Sequence, residues 1–382
     1  MDTKILIGAD IVPTKSNYVE FIEGNVEALV GKTMCDLLHE MDFTIFNLEV
    51  PLTDVISPIQ KCGPNLQALS KTVNGIKKIN PYFFTLANNH ILDQSVQGLK
   101  ATMEILNREN IKYAGAGNDL KEASKPFVFE KNGIKIGIYC CAETEFSIAT
   151  ENKAGANPFD PLFSLDHIRL LKKDVNYVIV LYHGGKEHYR FPSPNLQKTC
   201  RRIVDSGADL VVCQHSHCIG CYEDWETGKI IYGQGNFLFD DSDSEFWKTS
   251  LLIEIIFKSK NDFSIEYIPI VKVGNGIRLA ENEKKVEIIN GFEDRSKRII
   301  ESAFIETEYS KFAQQYINTY LRTGMPHNTS LFNRVFNKLS KGTWFERRIT
   351  KEQKLALCNY LECEAHRELF LQGLKESLRK SS

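Results

Sequence analysis

With 382 residues, 42% hydrophobic and 25% charged, the chain has the length for a full α/β core plus a smaller second unit, and a composition that excludes a disordered or fibrous protein. A formal net charge of −2 excludes a global electrostatic pull toward nucleic acid or anionic membrane. The balance is uneven: residues 322–382 hold 12 Lys/Arg against 6 Asp/Glu, or +6, which leaves −8 for the rest.

The amino-terminal run Met1-Asp-Thr-Lys-Ile-Leu-Ile-Gly-Ala-Asp10 lacks a basic start and is broken at Asp10, so neither a secretion signal nor a membrane span is expected there. No other apolar stretch reaches the roughly 18 to 20 residues of a spanning helix. Ten cysteines in such a chain read as reduced thiols, and the cytoplasm is the expected address.

In chain order, Lys4–Ala9, Phe43–Leu48 and Tyr82–Leu86 read as buried strands. A helix comes after His90, because Leu92, Val96, Leu99, Met103 and Leu106 recur at spacings of three and four. Strands are then expected at Ile134–Cys140, Asn176–Tyr182, Asp209–Cys213 and Lys229–Tyr232, with a helix from Pro194 to Ser206 stopped by Gly207. Leu251–Phe257 and Phe263–Val271 read as a hairpin around Lys260-Asn-Asp. Beyond about residue 285 the pattern turns helical, with candidates at Arg298–Arg322, Ser330–Lys341 and Thr350–Leu378 separated by Gly324, Pro326 and Gly342. The expected division is an α/β domain over residues 1–280 and a helical extension over 281–382.

The strands end on a repeated chemistry. Asp10, Glu49, Asn88-Asn89-His90, His183 and His215-Ser-His217 each stand at a strand's carboxyl end, where open α/β sheets bind ligands. Carboxylate, amide oxygen and imidazole together are the donor set for zinc, manganese or iron. A carboxylate can bridge two such ions, and a pair activates water and clamps a phosphoryl group. The two histidines of His-x-His project the same way from extended chain. His39, His167, His327 and His366 fall outside the pattern.

These residues lie in ordered motifs: Phe46-Asn-Leu-Glu49, Leu86-Ala-Asn-Asn-His90-x-x-Asp93-x-x-x-x-Gly98, Gly115-Ala-Gly117, His183-Gly-Gly, Gly207-Ala-Asp209-x-x-x-x-x-His215-x-His217 and Gly235-Asn236-Phe237. Over about residues 4 to 240 they resemble the CapA-type (poly-γ-glutamate capsule-synthesis) family, similar in turn to calcineurin-like metallophosphoesterases. The resemblance implies a double-sheet sandwich flanked by helices, a four-layer αββα fold, binding one or two divalent ions. By resemblance Asp10 and His217 serve a first metal, Glu49 bridges, and Asn89, His183 and His215 serve a second. His90 takes the place of the substrate-facing imidazole that protonates a leaving group, and Asp93, one helical turn on, can orient it. Three departures stand out: Val12 where the phosphoesterase pattern has histidine, Glu49 in place of aspartate, and Gln214 in place of glycine. A weakened first metal position is expected.

Secondary candidates carry bland alternatives. Lys61-Cys-Gly-Pro-Asn65 presents either a charge and amides to an anion or a plain turn. Glu187, His188 and Arg190 line a charged-substrate pocket or a solvated loop. Asn236 is a candidate substrate contact whose motif the spacing leaves unexplained. Cys218-Ile-Gly-Cys221 has no second cysteine pair, so buried thiols are favoured over a zinc knuckle. The aromatic and basic tail Phe332–Arg348 would either touch a membrane face or acidic partner, or pack as a helix.

The resemblance implies a metal-dependent hydrolase of phosphoesterase type in capsule or exopolysaccharide assembly. Its expected substrate is an anionic polymer or a phosphorylated small molecule, and its expected partners are capsule-synthesis proteins. One alternative is a non-catalytic metal-binding accessory protein of a synthesis complex. A second, a nucleotide or nucleic-acid phosphoesterase, is disfavoured by the acidic first half, and no nucleic-acid partner is expected.

Overall fold

The structure is a computed structural model that describes residues 2–324, 335–336, 338–340, 349–362 and 364–381. Its strands, in chain order, are β1 (Thr3–Val12), β2 (Phe43–Leu48), β3 (Phe83–Thr85), β4 (Lys112–Ala114), β5 (Ala116–Gly117), β6 (Phe127–Lys131), β7 (Ile134–Ala142) and β8 (Gly155–Ala156). They continue with β9 (Tyr177–His183), β10 (Leu210–Gln214), β11 (Tyr222–Trp225), β12 (Gly228–Tyr232), β13 (Asn236–Phe239), β14 (Thr249–Ser259), β15 (Asp262–Val273) and β16 (Gly276–Leu279). One sheet has the order β16-β15-β14-β1-β2-β3-β4 with β13 also on β1, and a second the order β11-β12-β10-β9-β7-β6.

Alternation along the central strands fixes the layers, because successive side chains leave a strand on opposite faces. Ile5 and Ile7 of β1 and Ile179 and Leu181 of β9 enter one shared core between the sheets. Leu6 points the other way, into a core with Phe21, Met34, Leu99 and Leu106 from helices over the first sheet. Val178 and Val180 meet Ile168, Leu171, Leu196 and Ile203 from helices beneath the second. The result is helix, sheet, sheet, helix, the four-layer arrangement expected from the sequence.

Every strand and helix predicted within the first 275 residues is present. The helices between Tyr18 and Glu40, the helix Ser164–Asp174 and the short strands β4, β6, β11, β13 and β16 add to them.

Within each sheet the central strands are parallel: β1 pairs with β2, β2 with β3 and β3 with β4, as do β7 with β9 and β9 with β10. Their carboxyl ends therefore share an edge. At that edge β1 changes partners. Thr3–Ile7 pair with β14, whereas Asp10–Val12 pair with β13. The register to β2 also shifts between Ile7 and Asp10. Such irregularities re-aim a side chain and occur beside active sites. Here the irregularity falls at Asp10.

The chain divides into two compact units, Met1–Glu306 and Thr307–Ser382. The helix Asn282–Arg298, the first element of the extension expected from the sequence, packs on β11 and β15 and buries Ile288 and Phe292 in the inter-sheet core. A further helix spans Phe304–Gly324. In the second unit Lys351–Glu362 and Glu364–Ser381 are helical and pack on each other, with the Tyr360 and Phe370 rings 5.9 Å apart. The predicted helix Ser330–Lys341 and the tail Phe332–Arg348 lie largely outside the described residues. Among the described residues no helix is long and apolar enough to cross a membrane.

Candidate metal centre

The strand ends bring six of the sequence candidates together. Asp10 and Glu49 come from the first sheet and are fully buried, and Asn89 comes just after β3. His183 ends β9, while His215 and His217 come just after β10, all three buried. His183 Nε2 lies 3.0 Å from Asn89 Oδ1 and 3.3 Å from Glu49 Oε1. His217 Nδ1 lies 3.5 Å from Asp10 Oδ2, and the His183 and His215 rings are 4.8 Å apart. Ligand atoms of Glu49, His215 and His217 all fall within 4.8 Å of one another.

Asp10 Oδ2, both Glu49 oxygens and His215 Nδ1 are buried without a hydrogen-bond partner. Buried polar atoms are normally satisfied, and buried carboxylates are paired or bind a metal. The Glu49, His215 and His217 group, with unsatisfied atoms on Glu49 and His215 and with Asp10 beside His217, fits a divalent cation, and zinc, manganese and iron all accept this donor set. His215 and His217 both sit in left-handed backbone, at φ 98° and φ 51°. That conformation is costly for a non-glycine residue and clusters at functional sites.

The electrostatics are those of a site built for a positive charge. Burial pushes Asp10 up, and the Glu49 carboxylate adds to this. Burial also works to raise Glu49, but His217 and His183 outweigh it and hold that carboxyl below the ordinary carboxylate range. Burial and the neighbouring His183 and His217 push His215 well below its usual value. For His217, burial is overcome by Glu49 and Asp10, which raise it to about 9. A cation entering the cluster replaces the proton held there, the usual coupling of metal binding to proton release.

A chain of amides orients these groups, and sequence reasoning missed it. Asn88 is fixed by backbone: its Nδ2 donates to Leu48 O at 2.9 Å, and its Oδ1 accepts from His90 N at 3.1 Å. Its Nδ2 also donates to Asn47 Oδ1 at 3.0 Å, so Asn47 turns its own Nδ2 toward Asp10 Oδ1, 2.8 Å away, and leaves Asp10 Oδ2 free. Ser147 Oγ donates to Asn89 O at 2.6 Å and accepts from Leu92 N at 3.2 Å, pinning the turn that presents Asn89 and His90. Asn47 and Asn88 stand inside the ordered motifs of the sequence. Ser147 lies in an irregular loop with no sequence signal. Gly115 adds a steric requirement, because a Cβ there would stand 2.6 Å from Cys140 Cβ and 2.8 Å from Ala87 Cβ, on a backbone at φ 88°.

His90 Nδ1 lies 2.5 Å from Asp93 Oδ2, the pairing expected of the helical-turn spacing. Asp93 is also ion-paired with Lys61, whose Nζ lies 3.2 Å from His90 Nδ1 and whose side chain is only 2% exposed. Lys61 is thus committed inside the protein to Asp93. Asn236 Oδ1 lies 2.9 Å from His217 Nδ1, and Asn236 N donates to Ser250 Oγ at 2.9 Å. Asn236 therefore holds a histidine of the cluster. Asn65 donates to Ile59 O and lines, with Val12 and Asp240, a cleft of about 870 Å³. Glu187 is exposed. Arg190 donates to Ile219 O at 3.0 Å and lies over the Phe246 ring. Cys218 and Cys221 are buried thiols, Cys218 pushed up to about 11 by burial.

The departures from the phosphoesterase pattern have local explanations. Val12 is buried and offers no ligand. Gln214 spans the sheets, its Nε2 donating to Gly8 O and Gln234 Oε1. Around His217 an aromatic wall is formed: the Trp247 ring is 4.9 Å from the imidazole, and Trp247 Nε1 donates to His188 Nε2 at 2.8 Å.

Residues 10–241, more than half of the chain and the stretch that contains Asp10, Glu49, Asn89, His183, His215 and His217, match the model of the family described as bacterial capsule synthesis protein PGA_cap. The chain belongs to the PGA_cap family. Within curated relatives it is similar to the PGA biosynthesis protein CapA of Bacillus subtilis (strain 168), 30% identical over 238 residues, covering 61% of this chain and 62% of that protein. It is also similar to the capsule biosynthesis protein CapA of Bacillus anthracis, 28% identical over 242 residues, covering 61% of this chain and 59% of that protein. The chain thus spans about three fifths of the length of these PGA_cap relatives. Among solved structures it resembles a novel phosphatase from Mycoplasma pneumoniae, with 16% identity, a TM-score of 0.43 and coverage of 71% of this chain and 94% of that one.

Proposed function

We propose that this PGA_cap protein is a metal-dependent hydrolase of phosphoesterase type that acts on an anionic polymer or phosphorylated small molecule in capsule assembly. The observation that carries the reading is the close grouping of Glu49, His215 and His217, with buried unsatisfied atoms on Glu49 and His215, in a site that also holds an imidazole, His90, paired to its own carboxylate. Asp10, Glu49, Asn89, His183, His215 and His217 would hold one or two divalent ions. Such an ion supplies Lewis-acid polarisation of a substrate oxygen and makes water nucleophilic near neutral pH.

The chain's own residues do the rest. Asp93 accepts from His90 Nδ1 and fixes the ring, leaving Nε2 to hand a proton to the departing oxygen. Lys61 balances the Asp93 charge, so the pair is buried as a neutral unit. Asn89 positions its amide between His183 and the turn that carries His90. Asn65, lining the cleft with Val12, and Arg190, lining a separate one, would meet the rest of the substrate. The nine described cysteines are free thiols, which supports a cytoplasmic step among capsule-synthesis proteins.

The decisive experiment is turnover of a generic phosphodiester by the metal-loaded protein and by Asn89→Ala. Activity in the wild type that falls by about 10²-fold or more in the variant supports hydrolysis. A second reading, a metal-binding accessory protein without turnover, is favoured by Val12, which removes a ligand from one metal position. Metal binding without turnover of phosphoester or γ-glutamyl substrates decides for it.

A further inference from the structure

A second cleft, of about 800 Å³, is lined by Ile219, two residues beyond His217, together with Arg190 and Arg295. Two guanidinium groups hold the chain there by consecutive carbonyls. Arg190 donates to Ile219 O at 3.0 Å, and Arg295 Nε donates to Gly220 O at 2.7 Å. Arg295 comes from the helix Asn282–Arg298.

The charges around this cleft do not balance. Lys284 pairs with Glu287 at 2.7 Å, and Lys272 with Asp240 at 2.5 Å. Glu245 reaches Arg190 at 3.7 Å from a largely exposed position, and Asp243 lies 3.8 Å from Lys272. Asp294, next to Arg295 in sequence, pairs with Lys297 at 3.5 Å in solvent. Among the described residues no carboxylate forms an ion pair with Arg295. Its burial, and then the proximity of Arg190, push its ionisation down to about 10. A half-buried guanidinium with like charge beside it is stabilised when an anion completes the set.

The helix is shaped to leave the fork open. A Cβ on Gly291 would stand 3.3 Å from Arg295 Nη1. Exposed Lys248 lines the same cleft and adjoins Trp247, the ring that packs on His217.

We propose that this cleft is an anion subsite in which Arg295 and Arg190, with Lys248 at the rim, receive a carboxylate or phosphate group. It deepens the hydrolase reading, on which it rests for one point: a ligand with repeated negative charge can engage the metal centre with one group and this subsite with the next. The planar fork of arginine suits either oxyanion.

Isothermal titration of the metal-loaded full chain with inorganic phosphate and, separately, with glutarate tests it. Wild-type protein binds at least one of the two, and Arg295→Met weakens that binding by about tenfold or more. Lys248→Met, an exposed substitution that keeps the fold, weakens it in the same direction. His215→Ala, which dismantles the metal centre, leaves this binding in place. Phosphate seen and glutarate silent identifies a phosphate subsite, and the reverse a carboxylate subsite. No binding of either anion, or binding lost in His215→Ala but kept in Arg295→Met, overturns the proposal. Failure of the hydrolase reading registers separately, as absent turnover in a protein that still binds the anion.

Discussion

Asn236 Oδ1 stands 2.9 Å from Nδ1 of His217, while Asn236 also faces Asp10 across the β1–β13 pairing. The asparagine therefore adjoins both residues of the expected first metal position from one strand. A histidine whose Nδ1 is held by an outer acceptor offers Nε2 to an ion in a fixed orientation.

Replacing that acceptor should loosen the metal without dismantling the fold. Asn236→Leu is expected to weaken metal affinity by about 10- to 100-fold, read by competition with a calibrated chelator. Affinity equal to the wild type's would mean that Asn236 serves only the strand pairing.

The two metal positions should be unequal. Asp10 already spends Oδ1 on Asn47, and Val12 contributes no donor where a histidine is expected. Glu49 and His215, by contrast, offer three unsatisfied atoms. Titrating chelator into the loaded protein is expected to strip metal in two steps, or to find one equivalent from the start. Two ions leaving together at one chelator concentration would contradict the asymmetry.

Lys61 and Asp93 form a buried ion pair outside the metal cluster, so it can be tested by stability alone. Lys61→Met leaves the Asp93 carboxylate buried with only His90 and the Leu66 amide, and is expected to cost about 3–5 kcal/mol. Asp93→Asn strands the ammonium and should cost a similar amount. The double variant should be less destabilised than the sum of the singles, because neither charge is left alone. Strict additivity in urea unfolding would show that the two groups do not stabilise one another.

The strands were legible because their central residues form short, continuous apolar runs buried on both faces, and the order of the layers followed from the family resemblance. Ile5, Ile7 and Ile179, Leu181 needed no partner to be assigned as buried. Strand ends were equally legible, since a polar residue closing a β-rich run marks the sheet edge, and Asp10, Glu49, Asn89, His183 and His215 all meet there. Apart from His90 with Asp93, three residues apart, the contacts between side chains were not legible. Lys61 reads as a charge offered to an anion or as part of a plain turn, yet its side chain is buried on Asp93. Asn236 reads as a substrate contact, yet parallel pairing to β1 sets it against His217. Both outcomes depend on tertiary placement that no local spacing encodes. Arg295 was hidden for a related reason: its helix sits in a polar, helical stretch, and only packing on β11 and β15 brings it to the Ile219–Gly220 turn.

Packing also sets where the chain can be cut. A boundary near residue 280 matches the change from strand to helix patterning, but Phe292, Ile299 and Ile305 are buried at 0%, 2% and 3% exposure in the cores of the first unit. A chain ending at Glu306 keeps every residue of the three described cores, so it should fold, bind metal and melt cooperatively. A chain ending at Gly291 loses all three side chains and breaks the helix Asn282–Arg298 in mid-span. Loss of one large buried aromatic alone is worth about 3–5 kcal/mol, a large part of a typical domain's roughly 5–15 kcal/mol. The shorter chain is therefore expected to aggregate or to melt well below the longer one. Thermal unfolding of both, with elemental analysis of the soluble fraction, decides the point. Equal melting and equal metal content would place the helix outside the metal-binding unit and support a boundary near residue 280.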